Sequence, residues 1–152
     1  MPRSPDRVRQ PQGIFEAMRP DIEADLVNTF VVRAKRERYI SFLHTPRRRR
    51  DFLNTLYHFA DFDPTRTVRL KGRQDTAAAI IDELRRRGAG DECYVISVDA
   101  DVDGTTGTLE GVIADVHTRR EGTLVGCLSG GLGYYEGEMN RLILDANTGR
   151  RR

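Results

Sequence analysis

Between residues 66 and 146 the hydrophobic pattern switches repeatedly between a period of two and a period of about three and a half. Thr67 to Leu70 and Cys93-Tyr94-Val95-Ile96-Ser97-Val98 are short runs of β-branched and aromatic residues bounded by charge and turn formers, the profile of strands. Between them Ala77, Ile80, Ile81 and Leu84 recur at helical spacing, opened by Asp75 and closed by Arg85-Arg86-Arg87 and Gly88. Cations and then glycine are what a helix C-terminus favours. A second helix carries Leu109, Val112, Ile113 and Val116 on one stripe and closes at Arg119, Arg120 and Gly122. Thr123 to Leu128 is again strand-like, and Leu132 to Glu136 with Arg141 to Asp145 reads as an antiparallel hairpin around Gly137 to Asn140.

The first part of the chain has helical periodicity throughout. Residues 1–13 hold three prolines and no apolar period, the profile of a disordered arm. Ile14, Phe15, Met18, Ile22 and Leu26 predict a helix to about Asn28, interrupted at Pro20. From Phe30 to His44, Val32, Tyr39, Ile40 and Leu43 form the apolar side of a second helix, with Arg33, Lys35, Arg36, Glu37 and Arg38 outside. Thr45-Pro46 suits the start of a third, carrying Phe52, Leu53, Leu56, Tyr57 and Ala60 and ending near Asp63-Pro64. The expected fold is therefore α/β: a helical layer of about three helices over residues 14–63, then βαβαβ and a hairpin over 66–146. Two right-handed crossovers would make the first three strands parallel, in a mixed sheet of about five. Residues 14–146 form one domain on this reading, and 147–152 a frayed tail.

A chain of 152 residues, 38% hydrophobic and 32% charged, has enough apolar content for one core and no run long enough to span a membrane. The first residues lack the apolar core of a secretory signal, so a soluble, cytoplasmic protein is expected. Cys93 and Cys127 both fall in strands where small apolar side chains are wanted, and are expected to be reduced core residues.

Charge is uneven. Residues 1–50 carry twelve Lys or Arg against six Asp or Glu, leaving thirteen against seventeen in the rest. Arg47-Arg48-Arg49-Arg50 stands at a helix start, where positive charge opposes the helix dipole by some tenths of a kcal/mol per residue. One reading is a solvated, partly paired face; the other is a contact for an anion, an acidic protein partner or nucleic acid, spread over Arg33 to Arg50.

Asp99 to Glu110 spells D-x-D-x-D-G-x5-E, the pattern of a calcium loop. Asp99, Asp101 and Asp103, the Thr105 carbonyl and a bidentate Glu110 could surround one hard cation, with Gly104 making the turn. Against calcium, a strand enters the loop where a helix is usual, Thr106 replaces an apolar residue, and no second loop follows. The same residues serve equally as an acidic connection that turns the chain and caps the next helix. The strand and D-x-D also resemble the first motif of haloacid-dehalogenase-type phosphatases, which implies Asp99 as nucleophile and Asp101 as acid/base with magnesium. That family needs a downstream lysine, and Lys35 and Lys71 both lie upstream.

Ser129-Gly130-Gly131 suggests a phosphate cradle, but a strand follows where a cradle needs a helix N-terminus, so a tight turn fits better. Parallel strands would nonetheless bring Lys71, Asp99 to Asp103 and Ser129 to Gly131 to one sheet edge, a polar ligand site with both charge signs. His44, His58 and His117 are scattered, with neither metal spacing nor a paired nucleophile.

Lys35-Arg36-Glu37-Arg38, Cys93-Tyr94-Val95-Ile96-Ser97 and Tyr134-Tyr135-Glu136-Gly137-Glu138, in this order, resemble an uncharacterised family of small bacterial proteins across about Asp25 to Asp145. The resemblance implies a bacterial, soluble, single-domain protein and carries over no activity or catalytic residue. Two functional classes stay open: a non-catalytic accessory or regulatory domain using its basic helices, with or without a cation in the acidic loop, and a small-ligand binder or enzyme using the sheet edge.

Overall fold

The computed structural model describes residues 18–129 and 131–148. The arm at residues 1–13, the Ile14 and Phe15 helix start, Gly130 and the tail from Gly149 lie outside them. Helix α1 spans Pro20–Phe30, α2 Arg33–His44 and α3 Pro46–Thr55. In α1, Pro20 occupies the first turn, where its missing N–H is harmless, and so begins the helix. Buried Glu23, Leu26, Val27 and Phe30 share one stripe. The third helix is shorter than its apolar pattern predicts: after Thr55 the chain tightens into a 3₁₀ turn at Leu56–His58 and then extends at Phe59.

The remainder is β1 (Thr67–Arg69), α4 (Ala77–Arg86), β2 (Glu92–Ser97), β3 (Thr106–Thr108), α5 (Leu109–Arg119), β4 (Thr123–Cys127), β5 (Leu132–Glu136) and β6 (Arg141–Asp145). Thr76 rather than Asp75 caps α4, accepting from the Ala79 amide at 3.1 Å. The hairpin has the expected bounds, Leu132–Glu136 and Arg141–Asp145. Among the described residues no helix is long and apolar enough to cross a membrane.

The α/β class and the helical layer are as expected, but the parallel strands are not. Six strands lie in the order β1-β6-β5-β4-β2-β3, and every neighbouring pair is antiparallel. The cause is β3. Its three residues pair back along β2, Glu92 opposite Thr108, so α5 starts beside the beginning of β2 and must run along it to reach β4. Strand β4 therefore returns against β2, Cys93 opposite Cys127 and Ser97 opposite Thr123.

Both faces of the sheet are covered. Tyr94, Ile96, Leu124, Tyr135 and Leu144 meet α1 to α3, with Tyr39, Phe52, Phe59 and Phe62 forming an aromatic centre. The alternate residues Cys93, Val125, Cys127, Tyr134 and Ile143 meet Ile80 and Leu84 of α4 and Leu109, Ile113 and Val116 of α5. Leu26 sits so close over β4 that a Cβ on Gly126 would lie 2.5 Å from it, which explains glycine in a central strand.

Candidate functional site

The residues of the acidic loop separate because Asp99, Asp103 and Glu110 each pair with a different arginine. Asp99 accepts from the Asp101 amide at 2.8 Å and pairs with Arg119 at the end of α5. The amide bond and then Arg119 outweigh partial burial and hold Asp99 below the usual carboxylate range. Asp101 is exposed. Asp103 turns inward, accepting from the Ser97 amide at 3.0 Å and from Arg49. Gly104 makes the turn at φ 80°, a conformation that favours glycine. Glu110 is carried away by β3 onto α5, where it pairs with Arg85 of α4, and that contact lowers its pKa. The predicted calcium set of Asp99, Asp101, Asp103, Thr105 and Glu110 is thus dispersed. Among the described residues no three His, Cys, Asp or Glu side chains gather as a metal set.

The sheet-edge site is dispersed too. Strands β1 and β2 run the same way but stand at positions one and five of the sheet, so Lys71 and Asp99 are about 19 Å apart at the usual strand spacing. Strand β4 runs the opposite way, which puts Ser129 and Gly131 at the other end. There they form the tight turn into β5 and border a cleft of about 650 Å³ against α1, with Arg19, Asp25, Thr29 and Glu92 also on its walls.

The arginine run divides. Arg49 is 7% exposed and lies three and four residues before Phe52 and Leu53, on the buried stripe of α3. Its guanidinium donates to both Glu23 oxygens at 2.8 Å and to both Asp103 oxygens at 2.9 Å. Tyr94 completes the cluster by donating to Glu23 at 2.6 Å. Burial opposes the charge on Arg49, but the two carboxylates reverse this and raise its pKa above the ordinary arginine value. Arg49 therefore joins α1, α3 and the acidic loop and is unavailable to a partner.

Arg47, Arg48 and Arg50 point outward with Arg33 and Arg38 of α2. Two of them stand over the Phe42 ring, the Arg48 guanidinium 4.3 Å and that of Arg38 5.4 Å from its centroid. Cation–π contact helps hold both heads in place. Arg48 also pairs with Asp51 at 2.9 Å, and Arg50 reaches the Val98 carbonyl at 3.4 Å. Among the described residues Arg33, Arg38, Arg47 and Arg50 make no ion pair.

A second buried cluster, absent from the sequence-based candidates, lies on the opposite face. Glu136 is fully buried and accepts from Tyr134 at 2.6 Å, while Arg141 pairs with Asp75 at 3.2 Å and Asp75 with His117 at 2.9 Å. Burial pushes the Glu136 carboxyl up. The signal was present in the strand period: Leu132, Tyr134 and Glu136 share one face of β5.

No protein-family model, curated protein or solved structure matches the chain.

Proposed function

We propose that this chain is a non-catalytic accessory or regulatory α/β domain that binds an anionic macromolecule through the outer face of α2 and α3. The observation that carries this reading is the Arg38–Phe42–Arg48 arrangement beside the exposed Arg33, Arg47 and Arg50, which make no ion pair among the described residues. Arginine forks match carboxylate and phosphate geometry, and guanidiniums already ordered on a ring lose less freedom when they engage. The positive charge at the start of α3 disfavours the helix dipole and is explained by an external anion.

The test titrates a fluorescent oligonucleotide and a fluorescent polyglutamate into the whole protein at two salt concentrations. Binding of either should weaken with salt, and replacing Arg47, Arg48 and Arg50 together by Ser should reduce it about tenfold or more, at roughly 0.5–1 kcal/mol for each arginine replaced. Affinity unchanged by both salt and substitution would remove the proposal. A small polar ligand in the 650 Å³ cleft beside Ser129 and Gly131 is the second reading, favoured by a volume within the range of ligand sites.

A further inference from the structure

We infer that Cys93 and Cys127 form a redox modification site, a facing dithiol that a hydroperoxide converts reversibly to a disulfide tying β2 to β4. The inference is independent of the arginine face and goes beyond it. The two cysteines stand directly opposite in the antiparallel register. The bonds beside them define the kind of pair: the Leu128 amide donates to the Glu92 carbonyl at 2.9 Å, so Cys93 and Cys127 occupy a non-hydrogen-bonded position. Such positions bring opposite Cα atoms to about 4.5 Å and side chains closest together, inside the span that disulfides bridge.

The other end of the same strand pair behaves alike. Val98 donates to the Gly122 carbonyl at 3.0 Å, and the hydroxyls of the opposed Ser97 and Thr123 meet at 2.8 Å. The cysteine sulfurs are 3.9 Å apart with both thiols free. Closing to the roughly 2.05 Å of a disulfide therefore requires side-chain rotation without a change of register.

Burial selects the oxidant. Cys93 is fully buried and Cys127 is 7% exposed at the end of its strand, beside exposed Leu128 and the β4–β5 turn. Hydrogen peroxide is small enough for this approach, and Cys127 also lines the 650 Å³ cleft beside α1. The neighbouring Cys127 sulfur holds the Cys93 thiol below its ordinary value, while Cys93 and burial push the Cys127 thiol up, so the thiolate that peroxide oxidises is that of Cys93, reached past Cys127. One thiolate takes an oxygen from hydrogen peroxide, releasing hydroxide and becoming a sulfenic acid. The second sulfur displaces that oxygen, which leaves as water with the two remaining protons. Two thiols and one peroxide thus give one disulfide and two waters, and a small dithiol reductant restores the pair.

The experiment is intact mass measurement of the native full chain after graded hydrogen peroxide, with and without later dithiothreitol. The expected product is a monomer lighter by two hydrogens, with no added oxygen at either cysteine, regenerated by the reductant and melting at a higher temperature than the reduced form. In Cys93→Ser the two-hydrogen loss disappears and Cys127 gains oxygen instead. The inference is overturned if the native wild-type chain gains oxygens at the cysteines, becomes a covalent dimer, or stays reduced under conditions that oxidise its urea-unfolded form. These outcomes do not require the variant to fold.

Discussion

Arg49 and Glu136 are charged side chains buried against opposite faces of one sheet, but their surroundings treat charge differently. Arg49 meets two carboxylates at 2.8–2.9 Å, and these receive further bonds from Tyr94 and the Ser97 amide. Glu136 has one short bond from Tyr134, and its second oxygen meets the Arg141 Nε only at 3.6 Å, beyond hydrogen-bond contact. Complete pairing holds the charge on Arg49 despite burial; incomplete pairing lets burial push the Glu136 carboxyl up. Burial alone says little about a charge, and the number of satisfied partners decides its state.

The largest effect should come from breaking the satisfied cluster. Arg49→Met leaves Glu23 and Asp103 without their cation and should cost about 3–5 kcal/mol in urea unfolding. Equal stability of Arg49→Met and wild type would refute the ionic role of this cluster. Next, neutralising each glutamate compares the two surroundings directly. Glu23→Gln removes charge-assisted bonds from a buried guanidinium and should cost about 2 kcal/mol, whereas Glu136→Gln retains an acceptor for Tyr134 and should cost less than about 1 kcal/mol. The reverse ranking in denaturant midpoints would show that Glu136 is the better paired residue.

A pH series sharpens the same contrast. The folded state raises the Glu136 pKa, so it binds this proton more tightly than the unfolded chain does. The resulting stabilisation is full below the ordinary glutamate value of about 4.3 and is lost as pH rises through the higher folded value. The stability difference between wild type and Glu136→Gln should therefore shift against wild type as pH climbs through that window. A difference independent of pH there would contradict the direction. The smallest effects belong to the outward neighbours of Arg49. Arg47→Met and Arg50→Met should each stay within about 0.5 kcal/mol of wild type, while Arg48→Met, which takes from Phe42 the nearer of its two cations and from Asp51 its partner, should cost about 0.5–1 kcal/mol. Thermal melts of the four single variants suffice to rank them.

Those four arginines show where reading the chain alone stops. They are chemically identical neighbours, and treating them as one basic surface missed that Arg49 falls on the stripe of Phe52 and Leu53, as Glu23 falls on that of Leu26, Val27 and Phe30. A charged residue on an apolar stripe was the available signal. The acidic loop misled in the opposite sense: D-x-D-x-D-G arises here from a glycine turn and from separate arginine partners, and a calcium pattern does not record which cations lie nearby in space.

Local periodicity determined the helical layer, the helix stripes and the bounds of the β5–β6 hairpin, because each is set by side chains a few residues apart. The direction of β4, and with it the fate of the sheet-edge site, was decided by Thr106-Gly107-Thr108, three residues with no apolar period that become a strand only by pairing with β2. The ion pairs of Arg49, the Tyr94–Glu23 bond and the facing cysteines likewise join residues 26 to 71 positions apart. Such pairings depend on register and strand order, which arise when the layers pack and are written in no single stretch of the chain.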